Sequence, residues 1–244
     1  MPSIDVCFSP LSWHLFQKPG SLVMVTDIFR ATTAMCAAFQ NKVKSLIPVA
    51  DVSESIAYKK RGFIVSGERD GVKLECADFG NSPFNFMEPG LQGKTIVMNT
   101  TNGTQAIKKA KGENNQVCIG AFTNRDAICD WAMAQNRDLV IFCAGWKDRF
   151  SLEDSLFAGS VVTYILEKSN GVFHTSCDSA MAAADIWQIA QSNPRGYIEK
   201  AAHRHRLKKM GLDDILDYSM NLNSNTCIPV LQGDEIVDLN TEKK

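Results

Sequence analysis

The chain has 244 residues, 45% hydrophobic and 22% charged, enough to bury one substantial core as a single large α/β domain or two small ones. A formal net charge of −1 draws the whole molecule neither to nucleic acid nor to a membrane surface. No apolar run approaches the roughly 20 residues of a membrane span, no charged-then-apolar leader opens the chain, and the eight cysteines include no Cys-x-x-Cys pair, which argues against a disulfide framework or a structural zinc site.

In chain order, Ile4, Val6 and Phe8 alternate as a first strand, stopped by Ser9-Pro10. Leu22–Thr26 is a short β-favouring run that ends at Asp27, with Arg30, Thr32 and Thr33 close behind and a helix over Ala31–Phe39. Ser45–Ala50 is the next strand, and Asp51-Val-Ser-Glu54 has the pattern of a capping box opening a helix that ends near Gly62. Phe63–Ser66 is a strand, whereas residues 67–93, with five glycines and two prolines, read as a long irregular loop; loops of that length in a compact domain usually carry function.

Thr95–Asn99 returns to strand, followed by Thr100-Thr-Asn-Gly-Thr104 and a helix over Gln105–Lys111. Val117–Gly120 is a strand, Arg125–Gln135 a helix capped by Asn124, Leu139–Cys143 a strand and Asp154–Lys168 a helix. Ser176–Tyr218 is nearly all helical, and Cys227–Val230 with Glu235–Val237 reads as a closing strand pair or as a strand and tail. This alternation predicts a three-layer α/β/α fold with a mixed, largely parallel sheet and a helical C-terminal region, in one domain spanning 1–244.

Four polar clusters share one address, each directly following a predicted strand: Asp27 to Thr33, Gly67-Glu68-Arg69, Thr100 to Thr104, and Gly145 leading to Glu153-Asp154. In α/β sheets, ligands sit beyond the carboxyl ends of strands, so the clusters are expected to converge. Hard carboxylate oxygens without a matching set of His or Cys suit Mg²⁺. Arginines and helix N-termini suit phosphate. No glycine-rich nucleotide-binding template occurs. Cys143 has Arg149 at a thiolate-phosphatase spacing, but the residues between are no nest of donors, and Cys143 reads as a buried thiol. His203 and His205, two apart on a helix, do not face one another as a metal pair.

These motifs, together with Asp78-Phe-Gly-Asn-Ser-Pro83 and Ala144-Gly-Trp-Lys-Asp-Arg-Phe-Ser-Leu-Glu-Asp154, resemble the 2-phosphosulfolactate phosphatase family from about residue 4 to about residue 231. The resemblance implies Mg²⁺-dependent hydrolysis of (R)-2-phospho-3-sulfolactate, a cytoplasmic step of coenzyme M biosynthesis. Alternatives are another small phosphorylated hydroxy acid as substrate, or a non-catalytic anion-binding protein on the same scaffold. Asp27, Arg30 and Arg69 are the expected catalytic residues. Thr32, Thr33, Asn81, Ser82, Thr100, Thr101, Asn102, Gly103 and Thr104 are expected to bind the phosphoester, and Asp27, Glu68, Glu153 and Asp154 to serve the metal. Asp27 can attack phosphorus or help activate water; association into homo-oligomers stays open. One departure stands near the C-terminus, where the family tends to read Ser-His-Gly-Arg-Arg-Leu and this chain has Ala202-His-Arg-His-Arg-Leu207.

Overall fold

The computed structural model describes residues 1–112 and 114–240. Its strands are β1 (Ile4–Cys7), β2 (Leu22–Thr26), β3 (Ser45–Val49), β4 (Ile64–Arg69), β5 (Val72–Lys73), β6 (Thr95–Asn99), β7 (Gln116–Ile119), β8 (Leu139–Cys143), β9 (Pro229–Gln232) and β10 (Glu235–Asp238). Its α-helices are α1 (Ala31–Gln40), α2 (Val52–Lys60), α3 (Gly103–Ala110), α4 (Arg125–Gln135), α5 (Leu152–Lys168), α6 (Asp178–Ala190), α7 (Pro194–Tyr197), α8 (Ala202–Lys209) and α9 (Ile215–Ser219).

The strands form one mixed, mostly parallel sheet in the order β1-β8-β2-β7-β9-β10-β3-β6-β4-β5. Every residue of β2 and β8 is buried, as continuous apolar strands require when helices cover both faces. Helices α5 and α6 pack closely, since a Cβ on Gly159 would lie 1.9 Å from the Ala183 carbonyl oxygen. The capping box is formed as the sequence predicts: the Asp51 N–H donates to Glu54 Oε2 at 3.0 Å. Asn124 stands at the N-cap position of α4 as expected but makes no capping bond; its side chain bonds Ala121 N and the carbonyls of Ile119 and Cys227, tying that turn to the C-terminal segment.

Two features depart from the expected layout. The C-terminal hairpin β9–β10 sits in the middle of the sheet, antiparallel to β7 on one side and to β3 on the other. The parallel set β1, β8, β2, β7 therefore runs opposite in sense to the parallel set β3, β6, β4. In a flat sheet their carboxyl ends would lie at opposite edges. Five pairings separate β2 from β6, and at roughly 20–25° of twist for each the two strands are turned well past a right angle from that flat arrangement. Twist thus brings the segments after β2 and β6 together.

The second difference lies in residues 67–93. Strand β4 continues through Gly67-Glu68-Arg69 and turns at Asp70-Gly71 into β5, so Glu68 and Arg69 belong to a strand rather than follow one. The rest is pinned by short 3₁₀ turns at Pro83–Met87 and Pro89–Leu91, with Phe86 and Leu91 buried in the core.

Candidate active site

The residue that ends β2, Asp27, opens a tight turn into α1. Thr32 closes that turn: its Oγ1 accepts the Asp27 N–H and donates to the Asp27 carbonyl, both at 3.0 Å, and Thr33 Oγ1 donates to the Ile28 carbonyl at 2.9 Å. These hydroxyls, expected on the phosphate, instead shape the backbone that presents Asp27 and Arg30. The Phe29–Arg30 peptide is cis. Asp27 and Arg30 are both buried and line one cavity together with Glu68, Asn81, Thr100 and Asn102.

The turn after β6 meets Asp27 from the other side. A Cβ on Gly103 would lie 2.5 Å from the Ala31 Cβ and 2.9 Å from Asp27 Oδ2, so only glycine lets the first turn of α3 approach the first turn of α1. Two helix N-termini are thereby directed at one carboxylate. Within the Thr100–Thr104 segment, only Thr100 and Asn102 reach the cavity. Thr104 bonds Thr100 through both backbone and hydroxyl, and Thr101 donates to Glu68 from its N–H at 2.7 Å and from its hydroxyl. Asn81 Nδ2 donates to the Asn99 carbonyl at 2.9 Å, and Ser82 lies outside the cavity, where its carbonyl accepts the Asn85 N–H.

Arg69 has another job. Its Nη1 donates to the Thr100 carbonyl at 2.7 Å and its Nη2 to the Ala50 carbonyl at 2.8 Å, and it lines a neighbouring cavity. Successive strand residues point to opposite faces, so Glu68 and Arg69 cannot both face Asp27. Arg69 fastens the ends of β3 and β6 and is not placed to clamp an anion beside Asp27.

Of the four carboxylates expected at a metal, Glu153 and Asp154 do not line the cavity. Asp154 Oδ1 accepts the Ile28 N–H at 2.9 Å and Oδ2 the Gly145 N–H at 3.0 Å, stapling the loops after β2 and β8. Glu153 Oε1 is 2.6 Å from His203 Nδ1. Among the described residues, no three His, Cys, Asp or Glu side chains are grouped so as to cage a metal ion. What faces the cavity is Asp27 with Glu68 beside it; Glu68 Oε1 also accepts the Thr101 N–H and Oε2 the Gly71 N–H, both at 2.7 Å, and with the Thr101 hydroxyl on Oε2 a second lone pair is left on Oε1. That donor set fits Mg²⁺ in the form that takes one or two carboxylates and completes its shell with substrate oxygens and water.

A family model described as 2-phosphosulpholactate phosphatase matches residues 7–234. The chain belongs to this family. A Caldicellulosiruptor saccharolyticus protein named probable 2-phosphosulfolactate phosphatase is 34% identical over 215 residues, covering 85% of this chain and 88% of the relative. Relatives of the same name from Thermotoga maritima (31% over 228 residues; 93% and 95% covered) and Prochlorococcus marinus (31% over 202 residues; 81% and 82%) span most of the chain as well.

The candidate site is completed by α8, whose residues were not among those expected at the site. His203, Arg206, Leu207 and Met210 line the cavity, and their i, i+3, i+4, i+7 spacing is one face of a helix. That stripe was the signal available in the sequence, hidden in a strongly basic segment. These positions include the three that keep the family's residues, His203, Arg206 and Leu207. The exchanged residues turn elsewhere: Ala202 and His205 are exposed, and Arg204 pairs with Glu199 and Asp213. His203 is held edge-on by Phe29 (centroids 5.8 Å apart, planes at 75°) and lies 5.3 Å from the Trp146 ring.

Electrostatics follow from burial. Burial above all, with the charges of Glu68 and Glu153, pushes the Asp27 carboxyl up to about 6 against the opposing charge of His203. Burial also works against ionising Glu153, but the hydrogen bond and charge of His203 hold its carboxyl below the usual range. An ionised Glu153 can only accept, so His203 Nδ1 is the donor and Nε2 is the nitrogen left for the cavity. Burial, then the charges of Glu153 and Asp27, push Asp154 well above the usual range. Burial draws Arg30 below its ordinary value against the favourable charges of Glu68, Asp27 and Asp214. Cys143 is buried and its thiol is pushed far up, as befits a core residue.

Proposed function

We propose that this chain hydrolyses 2-phospho-3-sulfolactate to 3-sulfolactate and phosphate with Mg²⁺ as cofactor. The observation that carries the reading, beside family membership, is the single cavity in which Asp27, Arg30 and His203 meet. The phosphoryl group sits against Asp27, between Arg30 and the N-termini of α1 and α3, where backbone N–H groups and a guanidinium fork offset its charge. Asp27 and Glu68 would hold Mg²⁺, which when bound neutralises charge on the phosphoryl oxygens. His203 Nε2, oriented by Glu153, carries the proton that the departing alkoxide needs. Eight free cysteines suit a reducing cytoplasm, and among the described residues no helix is long and apolar enough to cross a membrane.

Phosphate release from 2-phosphosulfolactate is expected in the presence of Mg²⁺ and is expected to stop with EDTA. Failure to turn over any phosphomonoester in a panel with metal present would sink the reading. Arg30 makes no side-chain hydrogen bond among the described residues, so it is free for the phosphoryl oxygens. Arg30→Ala is expected to cost on the order of 2–4 kcal/mol of transition-state stabilisation, tens to hundreds-fold in kcat/KM. A folded Arg30→Ala protein with wild-type kcat/KM would remove Arg30 from this role.

A further inference from the structure

Arg206 stands out among the arginines near the site. Its guanidinium carbon lies 4.3 Å over the Trp146 ring centroid, and it borders the same cavity as Asp27. Its Nε is buried with no hydrogen-bond partner among the described residues. The neighbouring arginines are satisfied: Arg204 by two carboxylates and Arg69 by two carbonyls. A buried charged donor without an acceptor is costly, and a ligand that supplies the acceptor removes that cost. Stacking on the indole face keeps the guanidinium charged without a fixed counter-ion and sets its plane.

Among the described residues, the two arginines of the cavity, neither held by a salt bridge, sit among different charges. Arg30 is surrounded by Glu68, Asp27 and Asp214, whereas the acid facing Arg206 is Glu153, on the His203 side. The reacting phosphoryl has to meet Asp27 and so belongs with Arg30. A non-reacting anion carried by the same small molecule then falls to Arg206.

We infer that Arg206, seated on Trp146, is the specificity-determining residue that binds the sulfonate of the substrate. The inference rests on the substrate reading above and deepens it. A sulfonate is ionised at all physiological pH values and offers three acceptor oxygens to the guanidinium fork. A neutral methyl in its place would leave the Arg206 donors without an acceptor, which is how a site rejects an analogue lacking a polar group.

The test uses three phosphomonoesters on the intact protein: 2-phospho-3-sulfolactate; 2-phospholactate, which has a methyl group where the sulfonate arm stands; and 2-phosphoethanesulfonate, which keeps the sulfonate and lacks the carboxylate. Arg206→Met is expected to shrink the wild-type preference for 2-phosphosulfolactate over 2-phospholactate, as a ratio of kcat/KM values, by about 10- to 100-fold. The same variant is expected to lose a similar factor on 2-phosphoethanesulfonate. Arg206→Lys, which keeps the charge but not the fork, should recover part of the ratio, and circular dichroism melts report whether each variant is folded. Equal losses on all three esters, or a loss that follows the carboxylate instead, would overturn the assignment. So would unchanged ratios. If the wild-type protein turns over none of the sulfonated esters, the substrate reading itself fails and the inference goes with it.

Discussion

Asp27→Asn is expected to lower kcat/KM by roughly a thousandfold or more and, in the same protein, to raise stability at neutral pH. The activity loss follows from position: a rigid, fully buried strand holds this carboxylate where two helix N-termini and Arg30 converge, and the amide has no charge to attack phosphorus or ligate Mg²⁺. The stability gain follows from its titration. The folded state holds Asp27 at about 6, above the value of about 3.9 for an unfolded chain. Below about pH 4 both states carry the proton and nothing is lost. Between pH 4 and 6 the unfolded chain releases its proton while the folded one does not. Above about pH 6 the native state bears the full penalty, on the order of 2–3 kcal/mol. Asparagine does not ionise, so in metal-free buffer the melting-temperature gap between variant and wild type should be full above pH 6 and close as the pH falls to 4. A gap that widens toward acid would contradict the environment assigned to Asp27. Acid quench of turnover then separates its two roles: a trapped acyl-phosphate identifies the nucleophile, and its absence leaves metal ligand or base.

His203→Asn is expected to cost roughly 10²- to 10³-fold on the secondary alkyl ester and much less on an aryl phosphate. An alkoxide is a poor leaving group and needs a proton as the bond to phosphorus breaks, whereas a nitrophenolate departs without one. Asparagine leaves a donor for Glu153, so the buried carboxylate keeps its partner and the fold is preserved. It has no proton to give at the Nε2 position. If alkyl and aryl esters suffer equally, His203 positions the phosphoryl group rather than the departing oxygen, and the proton has another source.

Much of this molecule is readable locally. The apolar run Leu22–Thr26, its stop at Asp27 and the helix behind it lie where the periodicity places them, as do Thr95–Asn99, Arg125–Gln135 and Leu139–Cys143. The Asp51–Glu54 cap closes because its partners are three residues apart. Asp27, Arg30, Glu68, Asn81, Thr100 and Asn102, all expected at the site, do share one cavity. The division of labour among the expected residues was less legible. Thr32, Thr33, Thr101 and Asp154 carry donors or acceptors suited to phosphate or metal, but each spends them on nearby backbone or on Glu68. Hydrogen-bonding capacity can be read from residue type; the partner that takes it depends on which loops meet.

By itself, then, the sequence determined the strand and helix periods, the acid at the end of β2 and the family motifs, because these depend on residues within a few positions of one another. Only the tertiary structure decided that two oppositely running parallel sets meet at one site, since that depends on a hairpin from the far end of the chain joining them and on twist summed across the sheet. It alone turned Glu68 inward and Arg69 away, because adjacent strand residues face opposite sides and the strand runs on through both. It alone laid α8 across the cavity, so that the stripe of His203 and Arg206, far from Asp27 in the chain, meets Asp27 in one pocket.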